Sequence, residues 1–196
     1  MYIPKHFRED DIDKIKAFMK AYNFGVILSN DGSAMTGTHL PFLMQESDDG
    51  TFSLVSHLAA ANPQLKHWEK STNCLVIFSG PHGYVSPNLY AEQQNVPTWN
   101  YIAVHVYGNI KVYNDFEQKK VILNQSIQCF EPDYQQQFES LDPKYRDKLI
   151  NGMTGIEVQI TQLEAKYKLS QNKSEISRKN VGDHFKNEGN ELGKFM

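Results

Sequence analysis

The stretch that most constrains this chain is residues 78–108, FSGPHGYVSPNLYAEQQNVPTWNYIAVHVYG. Two runs rich in β-branched and aromatic side chains flank a middle punctuated by proline and glycine. Val76, Phe78, Tyr84 and Val85 are strand formers, Gly80-Pro81 and Gly83 predict a tight turn, and residues 100–113 predict one long strand. A few strands cannot bury their own apolar faces, so the remainder of the chain has to supply a sheet for them to join.

The flanking segments do so. Residues 1–7 read as an extended arm, because Pro4 removes a ladder donor and disfavours helix at Ile3. A helix follows over 9–22, with acidic residues in its first turn and Ile12, Ile15, Phe18, Met19 and Tyr22 on one face. Residues 24–29, the Asn30-Asp31-Gly32 turn and residues 34–45 read as a hairpin. After the Asp48-Asp49-Gly50 turn, residues 51–57 give a third strand.

Asn62-Pro63 predicts the cap and first position of a short helix reaching Glu69, with Leu65 and Trp68 on its apolar side. Residues 74–79 return to the sheet. Asp115 and Gln118 form a capping pair for a helix of about four turns, and Asp142-Pro143 opens another that ends near Ile150. Residues 156–163, IEVQITQL, alternate as a half-buried strand does, and residues 174–187 predict a helix. Consecutive strands joined by short turns favour a meander or barrel over βαβ units. The expected architecture is therefore mainly β with flanking helices (α+β), a small and mostly antiparallel barrel over residues 1–165 with a helical tail over 166–196.

Composition narrows the function classes. The net charge of −3 gives no global positive field for nucleic acid, although residues 166–194 hold seven basic against four acidic residues, a local excess of +3. No apolar run approaches the roughly 18 residues of a membrane helix and no signal peptide is evident, so a soluble, cytoplasmic protein is expected. Cys74 and Cys129 read as buried thiols.

The seven histidines show no metal-ligand spacing, no glycine-rich phosphate loop exists, and no serine or cysteine has a base beside it. No catalytic or metal-binding residue is assigned. His39 and His57 fall near strand ends, where they could be neighbours across a ladder, either facing a bound ring or bonded structurally. Trp99, Tyr101 and Tyr90, bracketed by Pro97 and Pro87, could form an aromatic wall against a planar ligand or pack a core or dimer interface.

Six motifs in order carry a resemblance. They are MYIP with Phe7, THLP at 38–41, SHLAAANPQ at 56–64, FSGPHGYVSP at 78–87, VPTWNYIAVHVYG at 96–108 and KLSQN at 168–172. Together they resemble the PaiB-like family of FMN-binding negative transcriptional regulators.

The resemblance implies an FMN-binding split β-barrel like that of pyridoxamine 5'-phosphate oxidase, a homodimer, and flavin bound where two subunits meet. Its flavin-side candidates here are Thr38, His39, Leu40, Pro41, Ser56, His57, Asn62, Trp99 and Tyr101, with backbone groups at the Asn62 helix start near a phosphate. Two positions depart from the family pattern. The family runs His, any residue, Ala, Arg, any residue, Asn, Pro, whereas this chain has Ala60 at the arginine, and Leu89 stands where an aromatic is usual. Losing a bidentate, permanently charged phosphate partner implies weakened FMN binding. The family implies a regulator of protease and sporulation genes, with DNA as a partner. A flavin-dependent oxidoreductase and a haem-handling protein are the alternatives.

Overall fold

The computed structural model describes residues 1–47 and 50–196; Asp48 and Asp49, and with them most of the expected turn there, lie outside the described residues. In chain order the elements are β1 (Arg8–Glu9), α1 (Ile12–Ala21), β2 (Phe24–Asn30), β3 (Met35–Pro41), β4 (Leu43–Glu46), β5 (Phe52–Ala59), α2 (Leu65–Lys70), β6 (Asn73–Val85), β7 (Thr98–Tyr113), α3 (Phe116–Phe130), α4 (Gln135–Ser140), α5 (Pro143–Asn151), β8 (Met153–Lys168) and α6 (Glu175–Asn187). The protein is mainly β, mostly antiparallel, with flanking helices.

The chain divides into two units. One comprises Met1–Tyr22, Phe78–His105 and Glu164–Met196; the other comprises Asn23–Ile77 and Val106–Leu163. The strands β6, β7 and β8 each contribute a segment to both.

In the second unit the strand order is β3-β2-β6-β7-β8-β5-β4. Its core is aliphatic: Ile27, Leu54, Val76, Val106, Ile156 and Val158 are fully or almost fully buried. The strand expected over 34–45 is in fact two, broken at Phe42. β3 pairs with β2 and β4 pairs with β5, so one residue carries the chain from one edge of the order to the other. Phe42 is buried, and its backbone N–H donates to the Asn23 carbonyl at 2.8 Å. A break in the ladder was not readable from the apolar pattern, because Leu40 and Phe42 keep the period of two across it.

In the first unit, β6 corrects the expected turn. It runs without interruption through Gly80, Pro81 and Gly83. Neither glycine has a positive φ. Each is required for space: a Cβ at Gly80 would overlap the Phe18 ring of α1, and one at Gly83 would overlap the Phe185 ring of α6. Pro81 lies outside the ladder between β6 and β2, which covers only Leu75 to Ile77.

Helix α1 starts three residues later than expected. Asp11 caps it by accepting from the N–H groups of Asp13 and Lys14, while Arg8 and Glu9 pair with β8. Ile15, Phe18 and Met19 are buried as its periodicity implies, but Ile12 is exposed. Asp115 caps α3 as expected. Cys74 is buried, whereas Cys129, at the end of α3, is exposed. The strand expected over 156–163 runs over 153–168 and so passes residue 165.

Candidate functional site

Most of the nominated residues fall in the second unit, where a single buried side chain joins two of them, Thr38 and Asn62. Gln64 is fully buried beside the β2–β3 hairpin. Its two Nε2–H donors face three acceptors, the Ile27 carbonyl at 3.1 Å, the Ser29 hydroxyl at 3.0 Å and the Thr36 carbonyl at 3.1 Å, so one donor is shared. Its Oε1 accepts from the Thr38 hydroxyl at 2.5 Å. The same Thr38 oxygen accepts from Asn62 Nδ2 at 3.1 Å, and Asn62 Oδ1 accepts from the Gln64 N–H at 2.9 Å. The segment after β5 is thereby locked to β3. Gln64 closes the SHLAAANPQ motif; sequence reasoning passed it over because one glutamine carries no periodic signal.

Asn62 thus closes a local turn instead of capping a helix. Helix α2 begins only at Leu65 and spans six residues, and the position before it, Gln64, makes no side-chain cap. Bonds from Leu65 to Asn62 and from Lys66 to Pro63 occupy the backbone N–H groups that were expected to face a phosphate.

Ser56 is buried and donates to the Pro41 carbonyl at 2.6 Å, which joins β5 to the end of β3. His39 and His57 are not ladder neighbours: His39 opposes Val26, and His57 opposes Gly155. The His39 ring stacks on Phe24 with centroids 6.1 Å apart. Burial disfavours the imidazolium of His57 and lowers its pKa. Leu40 is buried in the core.

A cavity of about 590 Å³ opens beside this segment, lined by Ala60, Asn62, Lys66, Trp68, Val112 and Thr154 among others. Trp68 is 5% exposed, yet its indole Nε1–H has no hydrogen-bond partner among the described residues. A buried donor left unpaired costs on the order of 1–3 kcal/mol, and a bound acceptor would recover it. Of the nine nominated residues, only Asn62 lines this cavity.

Trp99 and Tyr101 belong to the first unit. Trp99 is 53% exposed, packs edge-on to Tyr84 at 6.0 Å between centroids and lies 6.1 Å from His82. Tyr84 is itself 48% exposed, so this unit shows water an aromatic cluster. Lys166 Nζ lies 5.2 Å from the centre of the Tyr101 ring.

Residues 1–162 match the family described as "Putative FMN-binding domain", and the chain belongs to that family. Along its whole length it is 33% identical, over 198 residues, to protease synthase and sporulation protein PAI 2 of Bacillus subtilis, covering 94% of that protein. It is 28% identical to an uncharacterised protein of Emericella nidulans, covering all of this chain and 94% of the other. Among solved structures it is similar to the flavocytochrome Anf3 of Azotobacter vinelandii (TM-score 0.65, 18% identity, 85% of this chain and 72% of that one). It is also similar to an FAD and haem binding protein of Mycobacterium smegmatis (TM-score 0.63, 13% identity, 82% and 73%). At those identities the structural likeness speaks for the split-barrel fold. No helix among the described residues is long and apolar enough to cross a membrane.

Proposed function

We propose that this chain is a transcriptional regulator of the PAI 2 kind, acting as a homodimer on DNA and holding FMN only weakly. The full-length identity to PAI 2 carries the regulatory half. The exposed cluster of Trp99, Tyr84 and His82 supports a face through which two copies meet.

The ligand half rests on the Ala60 cavity. Its volume lies within the roughly 300–1,000 Å³ of small-molecule sites, and its Val112, Leu65 and Trp68 walls with the Asn62 amide fit a flat ring. Its phosphate end does not fit. Ala60 offers no donor, the one basic side chain lining the cavity is the exposed Lys66, and Thr38 and Ser56 already use their hydroxyls internally. Thr38, His39, Leu40, Pro41, Ser56 and His57 act in this reading as the scaffold of the pocket, with Trp99 and Tyr101 on the dimer face.

Titration of the apo protein with FMN, followed by flavin fluorescence, tests the ligand half. Binding weaker than micromolar is expected, and Ala60→Arg should tighten it roughly tenfold or more by restoring a charge-assisted pair. Sub-micromolar affinity of the unaltered protein overturns weak binding. A gel shift with a salt series tests the other half: no shift at low salt excludes direct DNA contact.

A further inference from the structure

A second site lies in the other unit, in residues that the proposed function does not use. A small cavity of about 200 Å³ is lined by Phe7, Tyr90, Thr98, Asn100, Ser170 and the side chains of Lys168 and Lys173. It is too small for a ring system, for which roughly 300 Å³ is the lower end, and large enough for a few heavy atoms with water at about 30 Å³ each.

Its chemistry has one sign. Lys168 Nζ donates to the Thr98 hydroxyl and, at 2.6 Å, to the Trp99 carbonyl; Lys173 Nζ donates to Asn95 Oδ1. An ammonium has three N–H donors, so Lys168 keeps one and Lys173 keeps two. Among the described residues neither has a carboxylate at ion-pairing distance. Glu92, whose charge Lys173 feels, accepts instead from the Ser177 hydroxyl at 2.7 Å. Aromatic faces back both cations: Lys173 Nζ is 4.8 Å from the centre of the Tyr90 ring, and Lys168 Nζ is 6.0 Å from that of Phe7. Burial, and after it the neighbouring charges of Lys166 and Lys173, lower the pKa of Lys168.

The backbone is also built around the cavity. Ser170 has φ 59°, the only non-glycine with positive φ among the described residues. That conformation is unfavourable for a side-chain-bearing residue, and it is held by Ser170 Oγ, which accepts from the fully buried Asn100 Nδ2 at 3.0 Å. The result is a turn that keeps Lys168 and Lys173 on one cavity.

We infer that this cavity is a binding site for a small oxyanion, a free phosphate or carboxylate, held by the spare N–H donors of Lys168 and Lys173. Isothermal titration of the full chain with inorganic phosphate, and separately with acetate, tests it. One saturable site per chain is expected for at least one of them, weakening as sodium chloride rises. Lys173→Gln should weaken that binding about tenfold, the loss of one charge-assisted pair, while Lys173→Arg retains it. Both variants should keep the melting temperature of the parent measured without ligand, because Lys173 is partly exposed. The same variants should bind FMN as the parent does, which separates this site from the Ala60 cavity.

Absence of saturable binding to either anion overturns the inference, as does unchanged binding in Lys173→Gln. Displacement of the bound anion by a short DNA duplex also overturns it, by assigning these lysines to a nucleic-acid backbone.

Discussion

Removing the Gln64 side chain should loosen the lock between the segment after β5 and the β2–β3 hairpin, and the structure sets the scale. In Gln64→Ala, four groups lose a partner: the carbonyls of Ile27 and Thr36 and the hydroxyls of Ser29 and Thr38. The hydroxyls have recourse, since Thr38 still meets Asn62 at 3.1 Å and Ser29 lies 3.3 Å from His67 Nδ1. The two carbonyls have less. At roughly 1–3 kcal/mol for each buried group left unsatisfied, discounted because Thr36 is only half-buried, the loss should be about 2–4 kcal/mol. For a chain of this size that corresponds to a fall in Tm of roughly 5–15 °C.

Gln64→Glu isolates the cause. Its volume is unchanged, but the two donors become an acceptor facing three oxygens. Such a carboxyl is accommodated best when protonated, so its folded-state pKa lies above the unfolded value of about 4.3. Stability is then retained below that value and lost as pH rises above it, by up to about 1.4 kcal/mol per unit until the folded-state carboxyl ionises. Urea unfolding at pH 4.5 and pH 8 measures both variants. A Gln64→Ala loss below 1 kcal/mol, or a Gln64→Glu protein equally stable at the two pH values, would refute the network.

Two further outcomes follow from burial. Because burial lowers the pKa of His57, the unfolded chain takes up its proton first as pH falls. Its share of stability is therefore present above about 6.5 and declines below it, with a limiting slope of about 1.4 kcal/mol per unit. His57→Gln should flatten that part of the stability profile in urea titrations between pH 5 and 7, and an unchanged slope would count against the assignment. The two thiols should separate kinetically: burial pushes Cys74 up to about 12, so at pH 8 a disulfide reagent should modify exposed Cys129 quickly and Cys74 only on unfolding. Two equally fast thiols would contradict the placement of Cys74.

Where the sequence was legible, local chemistry and tertiary demand agreed. Asp115 caps α3, the strand read over 100–113 forms with two more residues at its start, and the alternation of 156–163 marks a strand that only its ends extend. It misled where one residue type serves two purposes. Gly80 and Gly83 look like turn glycines, yet they clear room for two phenylalanine rings that arrive from distant segments. Asn62-Pro63 looks like a helix start, yet a bond from Asn62 to Thr38 and the burial of Gln64 delay the helix to Leu65. The Ala60 substitution was visible as a departure, but the cavity beside it, with the unpaired Trp68 donor, needed the third dimension.

The way β6, β7 and β8 are shared bears on how the protein is made. The unit begun by Met1–Tyr22 is finished only by Glu164–Met196, and the other unit cannot close before Leu163. On the ribosome neither core has its last strand until β8 has emerged, so until then the nascent chain carries sticky, half-paired ribbons. Dissecting the molecule into separately expressed halves should accordingly yield aggregates, and a holding chaperone should matter more to its yield than its modest length suggests.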